Sequence, residues 1–311
     1  MRLELEENGS TCPKCGAPQQ NGISCIRCGI VFHKISGTAA RSTNSPVQSP
    51  GYRSEHNLPF ATLIRLSQLI LLCSLFLLVL SYHYQDVLPP ADFYADVELS
   101  DPVQSKTSLA PFKVRSSDII YTITPIQNYR LQGVVVSYHN SDAWWDIYHH
   151  RSWQDFINIK DICVIWGENV SSGIYLNMAF KNSTWTCWAY WPDTETARRF
   201  SMHQLSNNHL LVLDENIREK LDQVEIGDLI RLSGVLASYS HSNGQFYRGT
   251  STSRTDTGNG ACETILLTEF DIVKSANPGW QRLNTVAWWL CAVSLILIPV
   301  LIVRAPVRWS D

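Results

Sequence analysis

The stretch Val224-Glu-Ile-Gly-Asp-Leu-Ile-Arg-Leu-Ser-Gly-Val-Leu236 decides the fold. Ahead of it, Asp214 stands where a helix cap belongs, and Ile217, Leu221 and Val224 recur at helical spacing. Gly227-Asp228 makes a turn. Residues 229–239 are then rich in apolar and β-branched side chains, the pattern of a strand. Gly234 inside that strand permits a sharp bend. A capped helix thus leads through a polar turn into a bent strand.

Outward from this stretch the central domain is mostly strand. The runs 129–138, 173–180 and 184–191 precede the helix, and 264–273 follows the bent strand. Two shorter apolar strands, 119–123 and 162–166, lie outside this series. The order strand, strand, strand, helix, strand, strand resembles the OB-fold, whose helix sits between the third and fourth strands of a five-stranded Greek-key barrel. The resemblance covers about residues 127 to 274 and implies an all-β, OB-like small barrel with one helix. Another small antiparallel barrel or sandwich is the rival. The insertion between the first two strands is long for the OB-fold.

Two apolar runs bracket this domain. Residues 66–84 and 286–303 carry no charge and are long enough to cross a bilayer as helices. Tyr82, Tyr84, Trp288 and Trp289 sit where aromatic belts belong, at the ends facing the domain. A signal peptide would start near residue 1 rather than after 60 mostly polar residues. Arg53 and Arg65 precede the first span, and no Lys or Arg follows it for twenty residues. The positive-inside rule then places both termini in the cytosol and the central domain outside it. In a bacterial cell this means a two-pass protein of the inner (cytoplasmic) membrane with a periplasmic domain. The expected organisation is a zinc ribbon at 1–35, a flexible Ser/Thr/Pro/Gly-rich linker at 36–59, a transmembrane helix at 62–84, the extracytoplasmic domain at 85–283, a transmembrane helix at 286–303 and a cytosolic tail at 304–311.

The head contains two matching knuckles, Cys12-Pro13-Lys14-Cys15-Gly16 and Cys25-Ile26-Arg27-Cys28-Gly29. Each brings two thiolates to one side. Four thiolates suit a closed tetrahedral zinc site, structural rather than catalytic. The pattern resembles the minimal zinc ribbons found at the N-termini of many bacterial membrane proteins. Two disulfides would need an oxidising compartment, which the charge pattern denies to the head. A head this small draws its folding energy from the metal. It carries four basic residues (Arg2, Lys14, Arg27, Lys34) against three acidic ones. With no basic stripe, a protein contact or a purely structural role fits it better than nucleic acid.

Residues 85–281 hold 23 Asp and Glu against 15 Lys and Arg, a balance of −8 hidden by the whole-chain −3. Such a domain is a poor partner for phosphate backbones, and no nucleic acid is expected. Two segments stand out. Residues 144–155 bring Trp144, Trp145 and Trp153 together with His149 and His150; residues 248–263 bring Arg248, Arg254, Asp256 and Glu263. On the OB-fold these are the loops after strand one and between strands four and five, which flank the ligand face. The aromatics offer stacking area or a small core under a long loop. The arginines offer an anion clamp, oriented by Asp256 and Glu263, or else the loop is a self-satisfied turn network. Adjacent His149 and His150 diverge and do not suit a shared metal.

Three cysteines face the oxidising side: Cys163, Cys187 and Cys262. An odd count leaves one free or paired between chains. In an OB barrel Cys187 and Cys262 lie on neighbouring strands and are the preferred pair, while Cys163 reads as a buried apolar filler. Cys73 and Cys291 lie in the spans. No Gly-x-Ser-x-Gly elbow, phosphate loop or His-Glu-x-x-His is present. The leading expectation is therefore a non-enzymatic membrane-anchored binding or scaffolding protein for a protein, peptide or glycan. The alternative is a membrane-anchored hydrolase or transferase using Cys262, or the Arg248/Arg254/Asp256/Glu263 cluster. His203, His209 and His241 are the histidines in reach as base. A disulfide on Cys262 would exclude thiol chemistry; an isolated Cys262 beside a histidine would favour it.

Overall fold

The computed structural model describes residues 10–19, 23–25, 27–31, 58–243, 246–253, 255–256 and 261–305. The linker up to 57, the tail beyond 305 and Arg254 lie outside the described residues. The chain divides into two compact units, Met1–Asn57 and Leu58–Asp311.

In the first unit β1 (Ser10–Thr11) pairs antiparallel with β2 (Pro18–Gln19). The two knuckles share one backbone pattern. Cys12 N donates to Ala17 O at 2.8 Å and Gly16 N to Cys12 O at 2.9 Å; Cys25 N donates to Ile30 O at 2.8 Å and Gly29 N to Cys25 O at 2.9 Å. Gly16 and Gly29 hold φ of 68° and 73°, a left-handed turn that suits glycine.

The second unit runs α1 (Leu58–Tyr84), β3 (Val103–Lys106), β4 (Phe112–Ser116), β5 (Ile119–His139), β6 (Asn158–Ile165), α2 (Glu168–Ser171), β7 (Ala179–Ser183), β8 (Thr186–Tyr190), α3 (Thr194–Arg199), β9 (Leu205–Leu211), α4 (Glu215–Asp222), β10 (Leu229–His241), β11 (Phe246–Arg248), β12 (Glu263–Lys274) and α5 (Pro278–Arg304). Its main sheet is mixed rather than purely antiparallel, because β9 and β12 run parallel. β5 pairs with β6, β6 with β9, β9 with β12, β12 with β10, and β10 again with β5. These five strands close a ring. β3, β4 and β11 are short additions to it, and β7 and β8 form a separate hairpin. The domain is thus sheet-rich but not all-β, since short helices fill its connections.

The ring encloses an apolar core that includes Leu131, Val135, Ile162, Val164, Leu210, Leu232, Leu236 and Ile265. Burying each such side chain stabilises by roughly 1.5–3 kcal/mol. α4 packs Leu221 and the partly buried Ile217 against this core, and Val224 just beyond the helix joins them. Asp214 caps it by accepting from Asn216 N at 2.8 Å, as its position in the sequence predicts. At the other end of α4, buried Lys160 donates to Leu221 O at 3.0 Å and Val224 O at 3.1 Å, satisfying terminal carbonyls.

Three strand expectations are corrected. The runs 119–123 and 129–138 are one 21-residue strand, β5. The second ring strand is β6, which contains 162–166 except its last residue, and not 173–180. The third is β9 rather than 184–191, which belongs to the β7–β8 hairpin. β9 escapes a hydrophobic reading because Ser206, Asn207, Asn208 and His209 are all buried polar residues.

α1 and α5 contain helical stretches long and apolar enough to cross a membrane, Phe60–Tyr84 and Pro278–Arg304, with mean hydropathies of 2.4 and 2.6. They pack together: Ser74 Oγ lies 3.0 Å from Cys291 Sγ, and Asn284 Nδ2 donates to Ser81 Oγ at 3.1 Å. Both enter the ring at one place. Asn277 Nδ2 donates to Gln85 O and Val87 O, and Asp228 accepts from Ala276 N at 2.8 Å. Tyr94 OH donates to Gly227 O at 2.6 Å, tying the 225–228 turn to the segment after α1.

The bend expected at Gly234 is real: the β10–β12 register shifts between Ser233 and Gly234. A Cβ at Gly234 would sit 2.4 Å from Leu266 O, and one at Gly133 would sit 2.7 Å from Ile165 O. Gly234→Ala and Gly133→Ala should each destabilise by about 1–3 kcal/mol, seen as a lower thermal midpoint. Gly279→Ala, with nothing within 4 Å, should not lower it.

Candidate functional site

One end of the ring is polar. The register of β6 and β9 sets Asp161 directly opposite His209, and both are fully buried. Asp161 Oδ1 accepts from Asn158 Nδ2 at 2.9 Å and lies 2.7 Å from His209 Nδ1. Asp161 Oδ2 accepts from the backbone N–H of Trp185 at 3.3 Å.

Trp185 caps the site from the turn of the β7–β8 hairpin. Its φ of 77° is a conformation bulky residues rarely adopt. Three partners hold it there: Asp161 takes its N–H, while its carbonyl accepts from Asn207 Nδ2 at 3.0 Å and from Cys262 Sγ at 3.6 Å. Its ring meets four groups. His149 lies at 4.5 Å, Trp153 at 4.8 Å, His209 at 5.1 Å and the Arg248 guanidinium at 4.2 Å. Arg248 also contacts Nε2 of His209. Outside this layer opens a cavity of about 360 Å³, lined by Trp153, Trp185, Phe246, Tyr247 and Arg248 among others.

The cysteine pairing differs from expectation. Cys163 is bonded to Cys187, with Cα atoms 5.8 Å apart, and Cys262 is free. Placing Cys187 on a ring strand led to the wrong partner. It lies on the hairpin strand β8, which folds over β6 and so meets Cys163. Cys163 is not an apolar filler.

The two singled-out segments meet at this end of the ring, through Trp153 and Arg248. Trp144 and Trp145 do not join them. They are 84% and 62% exposed and pack edge-to-face on each other at 5.6 Å. Asp256 accepts from Ser251 Oγ at 2.5 Å, bracing its own loop, and Glu263 is buried at the start of β12. His149 and His150 diverge, as adjacency requires. His149 Nδ1 and His139 Nε2 both contact Asp146 Oδ2, at 2.8 and 2.6 Å, whereas His150 stacks on Phe156. His139, Asp146 and His149 have the composition of a metal site. The Asp146 carboxylate is already used, however: Oδ1 takes the N–H groups of Tyr148 and His149, and Oδ2 both rings. It is a hydrogen-bonded brace for the loop. In the other unit, Cys12, Cys15, Cys25 and Cys28 bring four sulfurs within 4.8 Å of one another, close enough to hold one metal ion.

Sequence reading missed Asp161, Trp185 and Asn207. The only signal was a carboxylate inside an apolar run, Ile159 to Ile165, where an ionisable group needs a reason. His209 lies on the face of β9 beside which Cys262 falls. His241 Nε2 instead contacts Trp153 O at 2.7 Å.

Electrostatics follow from this packing. Burial opposes charge on Asp161, but His209 and the Asn158 hydrogen bond outweigh it and bring its pKa to about 2. Burial also opposes charge on His209; Asp161 and the Cys262 thiol prevail over burial and Arg248, and its pKa is raised. For Cys262 the His209 interaction overcomes burial and lowers the thiol pKa. No family model, curated protein or solved structure matches the chain.

Asp161 yields a pH test. Its folded pKa of about 2 lies below the unfolded value of about 3.9. The stability it contributes is therefore present above about pH 4 and is lost as pH falls towards 2. Wild type should exceed Asp161→Asn by on the order of 2 kcal/mol near pH 6 and converge with it near pH 2. Acid unfolding followed by tryptophan fluorescence measures this; a gap constant across that range would mean that Asp161 is not ionised in the fold.

Proposed function

We propose that this chain is a two-pass membrane protein whose extracytoplasmic OB-like barrel binds a peptide or glycan at its polar rim, while a cytosolic zinc head contacts a protein partner. The observation that carries the reading is the cleft in which the Arg248 guanidinium lies 4.2 Å from the Trp185 ring, beside Trp153. A stacked guanidinium is preorganised, so little ordering entropy is lost when it engages an anionic group. Flat aromatic walls suit an apolar or sugar face. The ligand class is therefore a chain that offers a carboxylate next to such a face.

The ring order supports the OB-like reading. Strands one, two, three, five and four close in that sequence, with the helix between three and four. Cysteine chemistry supports the orientation. A disulfide in the barrel belongs to an oxidising compartment, and a four-thiol head to a reducing one. In the head, Cys12 and Cys28 sulfurs are 3.8 Å apart and Cys15 and Cys25 sulfurs 3.7 Å. A tetrahedral zinc with Zn–S bonds of about 2.3 Å has S···S edges of about 3.8 Å. Zinc is the metal these residues fit, and its role there is structural.

Three outcomes are expected. Metal analysis of the purified chain should find one zinc, lost in Cys15→Ser. Membrane-impermeant thiol reagents should label a cysteine placed at Asn140 from outside, and one placed at Ser45 only after lysis. A photo-crosslinker placed at Tyr247 should capture extracytoplasmic ligand in intact membranes, and Arg248→Ala should cut capture about tenfold, the scale of one charge-assisted hydrogen bond. Equal capture from a crosslinker at Thr268 would remove the cleft reading.

A further inference from the structure

We infer that Cys262, His209 and Asp161 form a thiol nucleophile site for acyl groups at the polar end of the ring, reached through the partly exposed Cys262. The inference adds a reaction to the binding role proposed above.

Backbone register assembles the three groups. β6 and β9 set Asp161 opposite His209. β9 and β12 run parallel with Glu263 opposite Asn208, so Cys262 falls beside Asn207. Asn207 and His209 are two residues apart on one strand and share a face. Side-chain contacts agree with this placement. Asn207 Nδ2 donates to Cys262 Sγ at 3.7 Å, which places the thiol beside the face of β9 that also carries His209. Nδ1 of His209 is turned to Asp161, which leaves Nε2 for the thiol and for Arg248. Cys262 is partly exposed, whereas His209 and Asp161 are fully buried. A nucleophile, a base and an anion that orients the base therefore stand in line from the rim inward, the arrangement nucleophilic catalysis needs.

The other two cysteines of the domain are joined to each other, so Cys262 has no disulfide partner within the barrel. A thiol kept free there needs a use or a shield. Trp185 and Asn207 supply only weak, long contacts to it.

The reaction balances with water alone. His209 takes the Cys262 proton, and the thiolate attacks an acyl carbon. The bond from that carbon to its oxygen or nitrogen leaving group breaks, and the leaving group takes the proton from His209. Water, or an amine in a transfer reaction, then attacks the thioester with His209 as base and restores the thiol. Arg248 lines the cavity and shares Nε2. Asp161 is a positioning residue; it touches His209 and not the substrate.

The test uses the full chain in detergent micelles and two probes without anionic groups: iodoacetamide and p-nitrophenyl acetate. Their outcome does not depend on the ligand class of the cleft, so it separates this inference from the binding reading. Wild type should release a burst of p-nitrophenolate and carry an acetyl group on Cys262, located by peptide mass mapping. Its alkylation rate should rise with pH through a midpoint below the ordinary thiol value of about 8.5. His209→Gln should lose the burst at least tenfold, and Asp161→Asn should move the alkylation midpoint upward. A Cys262 that alkylates but takes no acetyl group, or that does neither, overturns the inference. So does an unchanged burst in His209→Gln. Should the variants not fold, the wild-type profile decides alone: a midpoint at or above the ordinary thiol range rules the site out.

Discussion

Everything in the second unit depends on one strand closing the ring. β5 hydrogen-bonds β10 along 121–134 and β6 along 134–139, so a single 21-residue segment joins both ends of a five-stranded sheet. Closure removes the unpaired edges an open sheet would expose. It also demands sharp curvature and close backbone approach. Gly133 and Gly234 answer that demand, where a β-carbon would collide with the carbonyls of Ile165 and Leu266. The register shifts at Ser233/Gly234 and Leu236/Ala237 show where β10 bends.

Closure has a chemical consequence. The apolar core fills the middle of the ring, and α4 with Lys160 closes one region of it. The polar end is built differently. Buried Asp161 lies against His209, and Asp161 and Asn207 hold Trp185 in a backbone conformation it would not choose alone. Burial strengthens each of these interactions, because competing water is excluded. The site is rigid because its partners are mutually required, and its charges follow from the same packing.

The two apolar helices are joined to this fold at its turn. Asp228, inside the stretch that signals the helix-to-strand transition, accepts from the backbone just before α5, while Gly227 O accepts from Tyr94 after α1. Both helices thus meet the ring at one point.

Local chemistry alone determined much of this protein. The two Cys-x-x-Cys-Gly knuckles, the apolar runs, the Asp214 cap, the 225–228 turn and the bent β10 were legible because each depends on neighbours within a few residues. Trp153 and Arg248 were legible as candidates because aromatic and guanidinium density is visible in a loop. Tertiary structure decided the rest. β9 is polar and still buried, so no hydrophobic pattern announces it; only its two neighbours on the ring make it a strand. Because β9 carries no hydrophobic pattern, neither the strand order of the ring, nor the Cys163–Cys187 bond, nor the pairing of Asp161 with His209 is legible in the sequence. Trp144 and Trp145 carry the same side chain as Trp153 but sit outside the cleft, a difference of position that composition does not encode. Which thiol is free depends on a hairpin folding over β6 to join cysteines 24 residues apart, and which strand it sits beside depends on the pairing of β9 with β12, set only when the ring closes.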